Sequence, residues 1–211
     1  MKISKRYAIG IPILIVMALA VSSYYFFRDI QVYLTGNQSE FSEIRLRYRW
    51  WIISHFSFAS LTLFLGPLQF VPQIRNNYLR FHRLSGKLYI IGSIISALTV
   101  YVLLVTTYSL PGAIPSLGLL ATIWLFTTIS AYVAIKRKNV QRHKEFMIRS
   151  YVCGLAFVFI RLLPEINSVT GIFEFIEDDH LRRTVYEWVC WVYPLIFLEF
   201  WLVWRKQLLK L

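Results

Sequence analysis

Two basic stretches, "YLRFHRLSGKLYI" at residues 78–90 and "NVQRHKEFMIRSY" at 139–151, each set a histidine among cations near the start of an apolar run. Imidazole is the usual protein ligand of haem iron and a common one of zinc and copper, and facing helices of a bundle are a standard place to supply it. His82 and His143 are therefore candidate ligands. Gly86, four residues after His82, would let a flat macrocycle approach the backbone, and Arg75, Arg83 and Arg142 could form charge-assisted pairs with haem propionates. A plainer reading stands beside this one: histidines that simply sit among the arginines of a membrane interface.

Further polar residues lie inside the apolar runs, where such groups are costly and tend to face a bundle interior. His55, Ala59, Thr62, Gly66 and Gln69 share one helical face, and Gly86, Tyr89, Ser93, Ser96 and Ala97 form a second line of small and hydroxyl residues. Close helix packing accounts for all of these except His55 and Gln69. His55 is read either as an interhelical hydrogen-bonding residue or as a ligand in the other half of the membrane. Arg149 and Arg161, one near each end of the fifth apolar run, read as anchors that snorkel to the interfaces. Glu199 lies six residues before Arg205, about 9 Å of helix rise from that interface, so it needs a proton or a cation. Arg149, beside Ser150, is at a compatible depth, and a structural pair is expected.

The elements that hold these residues follow from composition. The 211-residue chain is only 16% charged, against about 25% for an ordinary soluble domain, which points to lipid as its solvent. Six windows approach the roughly 20 apolar residues that cross a bilayer: 7–27, 50–71, 88–108, 117–135, 146–163 and 186–204. Their polarity is continuous rather than alternating, which excludes a β-barrel and leaves helices. The expected fold is an all-α integral membrane protein of six transmembrane helices, with a core four-helix bundle (helices 2–5) and flanking helices 1 and 6. The first window follows Lys2, Lys5 and Arg6 as a secretory signal would, but the aromatic tail "YYFF" extends it to spanning length, so an uncleaved anchor is expected. Residues 1–49 then form an anchor and outer loop, 50–163 the core, and 164–211 an acidic outer loop and last helix.

Charge orients these spans. Fifteen of the 23 Lys and Arg fall at the N-terminus, in 72–87, in 136–145 and at the C-terminus, while nine of the eleven acidic residues fall on the opposite side. The positive-inside rule places both termini in the cytoplasm of a multi-pass inner-membrane protein. The net charge of +12 is thereby explained by anionic headgroups on the cytoplasmic side, without nucleic acid. The turn "SLPGAIPS" at 109–116 makes the third and fourth helices antiparallel neighbours. Cys153 and Cys190 lie in apolar runs and read as packing residues. No CxxC, CxxCH, Walker, GxGxxG or HExxH motif occurs to name a soluble enzyme class.

The order helix, basic loop, histidine, helix occurs twice, with His82 and His143 in equivalent places 61 residues apart, as in parallel repeats about an axis along the membrane normal. The set His55, Gly66, Gln69, Arg75, His82, Arg83, Gly86, Tyr89, Trp124, His143, Met147, Arg149, Ser150 and Arg161 also resembles a family: the bacterial predicted membrane proteins known as domain of unknown function 2306. The resemblance spans about residues 50–162 and leaves the first and last helices outside. It departs at Phe146, where that family commonly has tryptophan. It implies a four-helix unit with polar signature residues and a site that includes His55, His82 and His143, without naming a ligand.

Three functions follow as expectations. The first is a b-type haem or metal-binding electron-transfer protein with an unidentified membrane redox partner, haem b being the leading cofactor. His82 and His143 would be its ligands and His55 a second ligand or proton relay. His180, in a loop, is a poor partner for His55, so at most one haem is expected. The second is a transporter, sensor or assembly partner whose polar stripe lines a path. The third is an acid–base enzyme acting on lipid headgroups.

Overall fold

Every apolar run within the described residues folds as helix, which satisfies its own backbone in a solvent that cannot. The computed structural model describes residues 19–28, 30–31, 43–107 and 110–208. Helix α1 occupies 19–28. It is followed by α2 Glu43–Arg47, α3 Arg49–Gln69, α4 Pro72–Asn77, α5 Leu79–Thr106, α6 Ile114–Lys136, α7 Val140–Gly154, α8 Ala156–Thr170, α9 Asp179–Glu199 and α10 Arg205–Leu208. No strand occurs among the described residues.

Among the described residues four helical stretches are long and apolar enough to cross a membrane: Arg49–Gln69, Leu79–Thr106, Pro111–Lys136 and Asp179–Trp204. The fifth expected span is not one straight helix: α7 and α8 pass the same test only as a pair, bent by 47°. The break falls at Leu155, directly after Gly154, and a glycine is among the usual causes of such a kink. Most of the first expected span lies outside the described residues, so the structure gives four spans, or five if the bent pair is one.

The basic loops are mostly helix. α5 begins nine residues ahead of the apolar window at 88, because hydropathy marks the hydrocarbon while the helix continues into the polar interface. His82 and His143 are thus each the fourth residue of their helices, and their N–H groups close the first turns onto the Tyr78 and Asn139 carbonyls, both at 3.0 Å. The Asn139 side chain caps α7 by accepting from the Arg142 N–H at 3.0 Å, and Asp178 caps α9 by accepting from Leu181 N–H at 2.6 Å. At the other end α8 runs past the expected limit of 163 to Thr170 and is ended by Gly171, whose φ of 67° is the left-handed stop that glycine accepts.

α5 and α6 are antiparallel neighbours, as the short turn requires, with the Tyr101 hydroxyl 2.7 Å from the Thr122 hydroxyl. α3 lies against α5 so closely that a Cβ at Gly92 would stand 2.8 Å from the Phe58 carbonyl oxygen. α9 is tied to α6 by Trp191, whose ring N–H donates to Ser116 at 2.9 Å while Ser116 donates to the Glu187 carbonyl at 2.8 Å. The polarity is reversed relative to a soluble bundle. Leu98, Val105, Leu119, Phe126 and Ile129 face outward, while Thr62, Ser93, Ser96, Ser116, Thr128 and Ser150 are buried. An outer surface of this kind matches lipid, and the buried hydroxyls let backbones approach and bond internally.

Candidate functional site

His82, on α5, and His143, on α7, lie at the same basic end of the bundle, within electrostatic range of each other. His143 bears electrostatically on His82, as do Arg75 and Arg83. His143 Nδ1 lies 2.8 Å from the Ala131 carbonyl oxygen. A carbonyl only accepts, so this nitrogen carries the proton and a neutral ring keeps a bare lone pair on Nε2, an arrangement typical of an oriented ligand. His82 Nδ1 is buried with no hydrogen-bond partner among the described residues. Arg142 is exposed, and its cap is a backbone contact rather than a side-chain one.

Gly86 does not serve as expected. A Cβ there would sit 3.1 Å from Gln69 Oε1, so the glycine face that was to admit a macrocycle is filled by the Gln69 amide. The same amide donates to Ser85 at 2.7 Å, and Gly86 is explained as room for this α3–α5 contact.

From the histidine pair a polar column runs along one face of α5 through Ser85, Tyr89, Ser93, Ser96 and Thr99, all buried. The Tyr89 hydroxyl meets Ser150 on α7 at 2.9 Å, and Ser150 meets Thr128 on α6 at 2.7 Å. Tyr89 and Ser150 stand 61 residues apart, the same offset as His82 and His143. Ser93 Oγ and Trp124 Nε1 stand near the Tyr89 hydroxyl, yet neither has a partner in hydrogen-bonding geometry among the described residues, and Tyr151 Oη has none either.

His55 is not part of the pair. Its Nδ1 is 3.1 Å from the Ser96 carbonyl oxygen and 3.1 Å from the Thr99 hydroxyl. Residues 82 to 96 of α5 span about 21 Å of helix rise, too far for a shared metal. His55 instead lines a cavity of about 290 Å³ where the α7–α8 bend lies against α3, α5, α6 and α9. Its walls are chiefly apolar, including Phe56, Leu120, Ala121, Trp124 and Phe157, with Arg161 and Glu187 as its ionisable members besides His55 and the two cysteines.

Arg161 therefore turns inward rather than snorkelling to an interface. It donates to the Phe157 carbonyl at 2.8 Å, lies 3.7 Å from the Phe157 ring centroid and bears electrostatically on His55. A carbonyl and an aromatic face offset part of the cost of holding a guanidinium at this depth. Arg149 is likewise no simple anchor. It grips Glu199 with two donors, Nε to Oε1 and Nη2 to Oε2, the latter at 2.9 Å, which is the pair their matched depths led one to expect. Cys153 and Cys190 are buried free thiols in the core with Trp124, Ala156 and Trp191.

Sequence reasoning did not single out Glu187, Ser85 or Thr128. Glu187 lies near the start of the sixth window among charged residues, where it reads as an interfacial group; a register argument along α9 from Cys190, one turn further on, could have found it. Ser85 falls at i+3 from His82 and at i−4 from Tyr89, so extending the α5 line one step would have included it.

An apolar exterior, several membrane-spanning helices and a polar interior define a polytopic helical membrane protein. The chain belongs to the predicted membrane protein family DUF2306, whose model matches residues 52–202. That match takes in α9, which the resemblance over 50–162 left outside. No curated protein and no solved structure matches the chain.

Proposed function

We propose that this is an inner-membrane electron-transfer protein, with both termini cytoplasmic, that holds one b-type haem between His82 and His143. The observation that carries this reading is the histidine pair itself: two imidazoles on α5 and α7, one fixed by the Ala131 carbonyl with Nε2 bare, the other with a buried, unpartnered nitrogen. Among the described residues no cluster of three or more His, Cys, Asp or Glu side chains is placed to hold a metal. A donor set of two imidazoles suits a group that brings its own equatorial ligands and does not suit tetrahedral zinc. Bound haem would supply one-electron chemistry. The chain would supply two imidazole ligands, Arg75 and Arg83 for the propionates, and a column of hydroxyls that fixes α5 against α7. Gly86 and His55 have no part in this version.

Purification in mild detergent from cells given a haem precursor, followed by reduced-minus-oxidised spectra and metal analysis, tests it. A Soret band that is lost in His82→Ala and in His143→Ala but kept in His180→Ala is expected. The absence of both a Soret band and stoichiometric metal in the wild type would overturn the proposal.

One observation favours a second reading, a path for protons or small polar solutes. Ser93 Oγ, Trp124 Nε1 and Tyr151 Oη are buried without partners along the column, and buried polar atoms are costly unless something serves them. Proton flux into liposomes containing the haem-free protein, abolished by Ser93→Ala and Tyr89→Phe, would favour this path.

A further inference from the structure

The cavity at the α7–α8 bend has features of a ligand site that do not depend on the histidine pair. It lies within the spans, so its occupant arrives from the lipid phase and must be largely apolar. At about 290 Å³ it has roughly twice the volume of an engineered cavity of about 150 Å³ that binds benzene, which suits one or two rings. Aromatic walls from Phe56, Trp124 and Phe157 suit a flat molecule.

His55 sets the polar requirement. Nδ1 lies 3.1 Å from the Ser96 carbonyl, which only accepts, so Nδ1 carries the proton and the neutral ring offers a lone pair at Nε2. An acceptor at the edge of an apolar cavity selects a ligand that donates, since an isostere lacking the donor leaves it unsatisfied. We infer that this cavity binds a one- or two-ring aromatic alcohol drawn from the bilayer, the reduced head of a membrane quinone, whose hydroxyl donates to His55 Nε2. Ala121, fully buried in the wall, sets the space available for the ring.

The full chain in lipid nanodiscs, titrated against empty nanodiscs, tests this. The probes are 1-naphthol and two molecules of the same ring size without a donor, naphthalene and 1-methoxynaphthalene. Naphthol should bind about threefold to tenfold more tightly than either, the worth of one hydrogen bond. His55→Asn keeps an amide N–H for the Ser96 carbonyl and replaces the Nε2 acceptor by a carbonyl oxygen nearer the backbone, out of register with the ligand hydroxyl, so it should fold normally and abolish the preference without abolishing ring binding. Ala121→Leu should weaken all three probes. A preference that survives His55→Asn, or no binding above empty nanodiscs, overturns the site. Decylubiquinol should displace naphthol more strongly than its oxidised form does. If neither form competes, the assignment to a quinone head fails. Every reading here is independent of haem content, so failure of this site and failure of the haem assignment are separately visible.

Discussion

Arg149 and Glu199 show how a single ionic contact is sustained among apolar helices. The guanidinium fork matches the carboxylate through two bonds, with side chains 15% and 33% exposed, and α9 loosens into a π-helical turn, Phe200–Trp204, immediately after the carboxylate. Removing one partner leaves the other charge partly desolvated, while partial exposure keeps the cost below that of a fully buried pair. Arg149→Ala and Glu199→Gln should each lower stability by about 1–3 kcal/mol, read by thermal unfolding in detergent. Arg149→Lys should recover only part, because an ammonium cannot reproduce the fork. Equal stability of all three variants and the wild type would show the pair to be energetically silent.

At the scale of elements, two glycines of neighbouring helices should respond with opposite signs to the same substitution. Gly92 on α5 faces the Phe58 backbone carbonyl, which cannot yield without moving α3, so Gly92→Ala should destabilise by about 1–3 kcal/mol. Gly118 on α6 has only Leu104 Cδ1 near it, at 3.8 Å, so Gly118→Ala should stabilise by about 0.5–1 kcal/mol through helix propensity. Thermal midpoints of both variants in one detergent check the contrast, and a shift of the same sign in both would contradict the α3–α5 packing. The kink after Gly154 acts at this scale too, since Cys153, Gly154, Ala156 and Phe157 around it all line the cavity.

For the whole molecule, the distribution of charge and the bend make a joint prediction. Reporters fused after residues 80 and 140 should report the cytoplasm, and those after 112 and 175 the opposite side. The last position is decisive for α7 and α8. If the bent pair crosses the membrane, 175 and 140 lie on opposite sides; if it re-enters, they lie on the same side. Agreement of 175 with 140 would remove the fifth span and place Arg161 and the cavity on a re-entrant element.

The sequence by itself determined helices with lipid outside and hydroxyls inside, the equivalent placement of His82 and His143 in the basic stretches that precede two apolar runs, and the common depth of Arg149 and Glu199. These follow from composition, period and distance along a helix, all of which are local quantities. Only the tertiary structure decided that His55 stands apart from the histidine pair, that Gln69 fills the face of Gly86, that Arg161 turns inward, and that Glu187 and Trp124 share its cavity. Periodicity states which face and depth a residue has. The neighbour meeting that face depends on the order and rotation of packed helices and on where one of them bends, and no single segment contains that information.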